Sequence, residues 1–211
     1  MSIQNRLDRI VALSAVAATG ATVGFVQNAE AAIVSSGPVN INIPSNTDGV
    51  YLNVVTGVSG GLASGVAGWD VNPWSSSALN FFNPSAPAGG VYSRGGAAAG
   101  VANLTAGYTI DASNIWTSGA ISTNAGWAAV LNSSDNIIGF RFQNEANGNA
   151  THYGWMRISL AGSTFAQPRA IVEYAYEDQA GVGIQAGAVP TPGTAALLAL
   201  GAVGMAGRRR K

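Results

Sequence analysis

His152 is the only imidazole in a chain of 211 residues that contains no cysteine. Disulfide frameworks, thiol nucleophiles and Cys-ligated zinc are therefore excluded, and most histidine-based triads and metal sites go with them. His152 could in principle share a proton with Asp135 or Glu145 and a serine, but a strand histidine bonded to its neighbours accounts for it more simply. Glu173 and Glu177 stand four residues apart, which puts both on one face of an extended strand. Paired carboxylates of this kind hydrolyse glycosides when about 5–10 Å apart across a cleft, and Glu177 falls where that strand runs out. The reading is of a protein that is not an enzyme and has no catalytic residue, cofactor or metal.

Three segments are rich in oxygen ligands: Asn46–Gly49, Asn132–Asn136 and Asn144–Asn149. Extracellular calcium sites use such oxygens, yet no segment completes a calcium loop, and Asx turns explain all three. Aromatic side chains offer a different chemistry. Trp155, read on the outward face of its strand beside Arg157, is the candidate glycan contact, with Trp69 and Trp74 as further rings able to stack on sugars. Two glycine-rich runs, Gly57–Gly68 and Gly89–Gly100, lack the Gly-Lys-Ser/Thr ending of a phosphate loop and are read as surface loops.

These residues must be positioned by a body whose boundaries are set by charge and aromatic content. The chain carries ten basic and ten acidic residues, and only 9% of its residues are charged, against about 25% in ordinary soluble domains. Six of the basic residues lie at the two ends. Residues 32–187 keep four arginines against eight acids, a formal charge of −4. Nucleic-acid binding needs a cationic face, so that partner is excluded. Sixteen of the 17 aromatic residues fall in the same span, only Phe25 lying outside it.

The ends read as addresses. Arg6 and Arg9 precede an apolar run from Ile10 to Val26, followed by Ala29-Glu30-Ala31. That is the three-part grammar of a secretory signal peptide, with small residues at Ala29 and Ala31 for signal peptidase, and cleavage is expected after Ala31. At the other end, Val189-Pro190-Thr191-Pro192 leads through Thr194, a helix cap, to the apolar run Ala195–Gly207 and the cluster Arg208, Arg209, Arg210 and Lys211. The prolines hold an extended strip. The apolar run spans about 20 Å as a helix, short of a hydrocarbon core of about 30 Å, so insertion leans on the long arginine side chains reaching the headgroups. The terminal cations favour a cytoplasmic C-terminus.

This ending resembles the PEP-CTERM sorting signal, a Pro-x-Pro motif, an apolar helix and a basic cluster, here with Thr191 where the family usually carries Glu. The resemblance covers residues 189–211. It implies recognition by exosortase, a membrane protease-transpeptidase of exopolysaccharide-producing bacteria, with transient anchoring through the C-terminal helix before release to the cell surface. The stretch Ile138–Leu160, with Gly139-Phe140-Arg141-Phe142 and His152-Tyr153-Gly154-Trp155-Met156-Arg157, and the run Tyr174–Asp178 resemble segments of ectodomains in the same family. That likeness implies a secreted β domain and assigns it no catalytic residue.

Period-two alternation predicts the body to be all-β, an antiparallel β-sandwich or jelly-roll-like domain over residues 32–187, between a signal helix (1–31) and an apolar C-terminal helix within the sorting tail (188–211). Ile138, Phe140 and Phe142 are expected inward on one strand, and Met156, Ile158 and Leu160 on the next, with Trp155, Arg157 and Ser159 outward. After Pro168 both faces of a third strand carry apolar weight, which leaves its orientation open. Further strands are expected at Val39–Ile43, Val50–Val55, Val66–Val71, Leu79–Phe82, Val91–Arg94 and Trp127–Leu131. The function expected is that of an exported, exosortase-processed surface or matrix protein with a structural role alongside exopolysaccharide. A lectin-like carbohydrate-binding module is the alternative.

Overall fold

The computed structural model describes residues 32–93, 99–123, 127 and 133–190, all within the unit Ala31–Lys211. The first ten strands, in chain order, are β1 (Ile33–Ser35), β2 (Ile41–Asn42), β3 (Tyr51–Leu52), β4 (Ser59–Gly60), β5 (Asn72–Trp74), β6 (Asn80–Asn83), β7 (Gly89–Tyr92), β8 (Thr109–Ile110), β9 (Trp116–Thr117) and β10 (Gly119–Ser122). Four more follow: β11 (Asn136–Asn144), β12 (Ala150–Ser159), β13 (Ala170–Glu177) and β14 (Ile184–Gln185). The main sheet has the order β1-β13-β12-β11-β7-β9, with β2 beside β13 as well. A three-stranded sheet β10-β6-β5 and the pairs β14-β8 and β3-β4 complete the architecture. Every named pairing is antiparallel, so the fold is all-β.

The meander β11-β12-β13 forms because its three segments alternate and its connections are short. Between β11 and β12 the Asn144 side chain accepts from the Ala146 N–H at 3.0 Å and caps a single 3₁₀ turn, which Gly148 closes in the left-handed region. One face of the meander carries Ile138, Phe140, Phe142, Met156 and Ile158, as the alternation predicts. There they share a core with Phe81 and Ile121 of the three-stranded sheet and with Leu52, Val71 and Trp127. Gly154 sits directly under the Phe140 ring. A Cβ there would meet Phe140 Cζ at 2.5 Å, so the strand needs glycine at this crossing.

β13 carries apolar residues in both phases because it contains a bulge. Arg157 pairs with Glu173, but the next residue of β12, Ile158, pairs with Ile171. Val172 is the extra residue, and it puts Ile171 into the same core as Tyr174 and Tyr176.

The opposite face of the meander is covered as well. Ile137, Tyr153, Trp155 and Ala175 pack with Tyr92, Leu104, Ile110 and Ile184 in a second buried cluster. Trp155 does leave the strand on the side opposite Met156, yet it is fully buried. The expectation of an outward, sugar-accessible Trp155 is therefore corrected: β8, β14 and the segment around Leu104 cover that side of a central strand.

Two other expectations change. Gly89–Tyr92 is not a surface loop but the buried strand β7, hydrogen-bonded to β11. Between Val66 and Val71 the chain forms no strand, only a bridge of Val71 to Leu52. The signal and tail helices, Arg94 and Trp127–Leu131 apart from Trp127 lie outside the described residues. Among those described, no helix is long and apolar enough to cross a membrane.

Candidate functional site

Of the sorting strip, Val189 and Pro190 are described and both are exposed. They follow a fixed point: the buried Trp155 ring donates through Nε1 to the Ala188 carbonyl at 3.0 Å. β14 pairs with β8, and Ala186 exchanges backbone bonds with the 107–108 turn. The body thus holds the chain as far as Ala188 and releases it into solvent one residue later. Thr191, Pro192, Arg208–Lys211, Ala29 and Ala31 lie outside the described residues.

Arg157 is partly buried and paired with acidic neighbours. It forms ion pairs with Asp135 and, at 3.5 Å, with Glu173, and its guanidinium lies 5.4 Å from the centroid of the Trp155 ring. Its candidate glycan contact is thus already occupied by two carboxylates. Glu173 is spent in that pair, while Glu177 is buried and accepts from the Gln179 N–H at 3.1 Å. Their Cα atoms stand about 13 Å apart along the extended strand, and the bonds just given hold the two carboxyls to different partners.

His152 is fully buried, with Nδ1 2.7 Å from the Glu177 carbonyl oxygen and Nε2 3.1 Å from the Asn147 amide nitrogen. A ring protonated on Nδ1 donates to the first and accepts from the second, so both nitrogens are engaged in structure. Gly57 to Gly61 spells Gly-x-Ser-x-Gly, but Ser59 lies on the exposed strand β4 rather than at the sharp strand-to-helix turn that presents such a nucleophile. Where described, the oxygen-rich segments use their oxygens in local turns. Asn46 Oδ1 accepts from the Asp48 and Gly49 N–H groups at 3.1 and 2.7 Å, and Ser133 Oγ accepts from the Asp135 N–H at 3.0 Å. Among the described residues no three His, Asp or Glu side chains converge on a metal position.

An aromatic surface forms from rings that stand far apart in the sequence. Trp69 meets Tyr51 edge-on, with centroids 5.0 Å apart, and stacks on Phe82 at 5.5 Å and 24°. Phe82 is 38% exposed, and Trp69 and Tyr51 are half-buried. On the same outward row of β6 and β10, Ser122 donates to Asn80 Oδ1 at 2.7 Å. β3, β5, β6 and β10 carry no charged residue. Partly exposed aromatic rings beside neutral hydroxyl and amide groups suit a neutral sugar ring. The ladder draws on β3, the 61–70 loop and β6, so only tertiary structure assembles it.

Asp70, next to Trp69, is buried and accepts from the Val54 N–H at 2.8 Å. Burial pushes its carboxyl up to about 8, the Val54 bond opposing and the Glu145 charge adding to the shift. A cleft of about 270 Å³ lies alongside, lined by Asn53, Thr56, Gly68 and Glu145 among others. On the far face of the main sheet, Arg141 lies 5.7 Å from the Trp116 centroid, with no ion pair among the described residues and its Nε buried without an acceptor.

Comparison of the chain with protein-family models, with curated proteins and with solved structures gives no match.

Proposed function

We propose that this chain is exported, held briefly in the membrane by its C-terminal apolar segment with the basic end in the cytoplasm, and cut by an exosortase-type protease at Val189-Pro190-Thr191-Pro192. It then takes a structural place at the cell surface or in the matrix, alongside exopolysaccharide. The observation that carries this reading is the change at Ala188: the carbonyl is pinned by a buried tryptophan, and Val189 and Pro190 beyond it are exposed. A processing enzyme needs that combination, a rigid body followed by an open extended strip. The core shared by the main and the three-stranded sheets supports the finer fold reading of a β-sandwich. Mass determination of the protein from producing cells, with and without the protease, tests the function. Loss of the C-terminal segment only when the protease is present, with the N-terminal segment removed in both strains, is expected; an intact C-terminus in both strains refutes it.

The Tyr51–Trp69–Phe82 surface favours a second reading, a lectin-like module. Retention on neutral polysaccharide resin that falls about tenfold in Trp69→Ala, with the fold intact by circular dichroism, supports that reading; equal elution of the two proteins removes it.

A further inference from the structure

Ala32 is held to the body from both of its backbone groups. Its N–H donates to Asp178 Oδ1 at 2.9 Å, and its carbonyl accepts from the Asp178 N–H at 3.0 Å. These bonds extend the pairing of β1 with β13, in which Ile33 lies opposite Glu177. Glu177 is only 4% exposed, and its carboxyl also lies near the Ala32 N–H. Burial first, and then Asp178 beside it, raise its affinity for a proton, against the bond it accepts from Gln179 and the nearby Ala32 N–H. Neither carboxylate has an ion-pair partner among the described residues. Two adjacent acids therefore converge on one nitrogen, with no cation to offset their mutual repulsion.

In the uncut chain that nitrogen is a neutral amide with a single hydrogen. Hydrolysis of the Ala31–Ala32 bond adds water across it: the hydroxyl goes to the Ala31 carbonyl carbon, a hydrogen to the Ala32 nitrogen, and a further proton from solvent makes an ammonium with three donors. We propose that Glu177 and Asp178 form the docking site for the α-ammonium that signal peptidase frees at Ala32, so that cleavage completes and locks the edge strand β1. The inference deepens the export reading and rests on its cleavage position. It assigns a structural consequence to that cut. A charge-assisted pair replaces an ordinary hydrogen bond, and the buried carboxyl gains the cation it lacks.

The test uses the chain from Ala32 to Lys211, the same chain with its α-amine acetylated, and a chain begun one residue earlier at Ala31. The amine is titrated by NMR. Besides Glu177 and Asp178, the titratable groups nearby are Tyr176, next to Glu177 on β13, and His152, whose Nδ1 bonds the Glu177 carbonyl. In the chain begun at Ala32 the amine is expected to titrate about one unit above the ordinary 7.7–8.0 of a free terminus, and near that ordinary value in Asp178→Asn. At pH 6.5 the free-amine chain should unfold at higher temperature than the acetylated one, and the chain begun at Ala31 should resemble the acetylated form. An unshifted amine in the wild type, or equal melting of the free and acetylated chains, overturns the docking site. N-terminal sequencing of protein from exporting cells bears on the cleavage position separately: a start at Ala32 supports the proposal, and any other start overturns its premise while leaving the amine titration to report on the site itself.

Discussion

The guanidinium of Arg169 donates through Nε to the carbonyl oxygen of Ile43 at 3.0 Å, across 126 positions of sequence. Its Nη1 reaches the carbonyls of Ala78 and Thr164, both at 2.8 Å, and its Nη2 those of Pro44 and Ser75 at 2.7 and 2.5 Å. Arg169 is 1% exposed and has no carboxylate partner among the described residues, so five bonds to backbone carbonyls take the place of a counter-ion. It ties the start of β13 to the 43–44, 75–78 and 164 loops.

Replacing Arg169 should therefore be among the most damaging single changes in the body. Lysine has three donors on a point charge and cannot reproduce the planar fork. Arg169→Lys is expected to lower unfolding free energy by about 3 kcal/mol, and Arg169→Ala by about 3–5 kcal/mol, in urea denaturation.

Ser75, whose carbonyl is one of the acceptors in that cage, has φ 97°, a backbone region that suits glycine. Its N–H is fixed to the Asn46 carbonyl at 2.9 Å and its own carbonyl to Arg169, so the surrounding bonds impose the strain. Ser75→Gly is expected to raise stability by about 1 kcal/mol, relief of about 1–3 kcal/mol of strain less the entropy glycine adds to the unfolded chain. Ser75→Thr should lower it, and thermal unfolding of the pair reads the sign.

The Arg169 cage could not be read from residue order, because its five acceptors are backbone carbonyls and four of them come from distant loops. What could be read was local. Ile138, Phe140, Phe142, Met156 and Ile158 alternate, and they point as alternation requires. Period two assigns a residue to a side of the sheet, however, and does not say whether that side meets water. Alternation puts Trp155 on the correct side, and the second core covers that side. The phase of β13 was illegible for a different reason: the bulge at Val172 brings Ile171 into register with Tyr174, so no single alternation fits. The Tyr51–Trp69–Phe82 ladder escaped for the same reason as the cage, its members coming from three separate segments.

Arg141 is the reverse of Arg169, a guanidinium stacked on Trp116 whose Nε is buried with no acceptor. A buried donor without a partner costs roughly 1–3 kcal/mol, and burial accordingly lowers the proton affinity of this group. Arg141→Met keeps the length of the stem and removes the unsatisfied donor. An increase in stability of about 1 kcal/mol is expected by urea titration; a decrease would mean that the contact with Trp116 outweighs the orphaned Nε.

Asp70 gives the body an unusual response to pH. Its carboxyl is raised from 3.8 to about 8 in the folded chain, by burial first and by Glu145 last, against the Val54 bond. Between those two values the folded state holds a proton that the unfolded chain has released, so the native state binds more protons than the unfolded one. Stability must then fall as pH rises through this window, at up to about 1.4 kcal/mol per pH unit for one full proton. Below pH 4 both states are protonated and the penalty vanishes; above 8 it is complete. Asp70→Asn keeps an oxygen to accept from the Val54 N–H and cannot ionise. The difference in unfolding free energy between Asp70→Asn and wild type should therefore be small at pH 4.5 and grow steadily to pH 8, with the variant the more stable. Chemical denaturation at half-unit pH steps measures it, and a difference that stays constant with pH would show that Asp70 ionises in the native state as easily as in the unfolded chain.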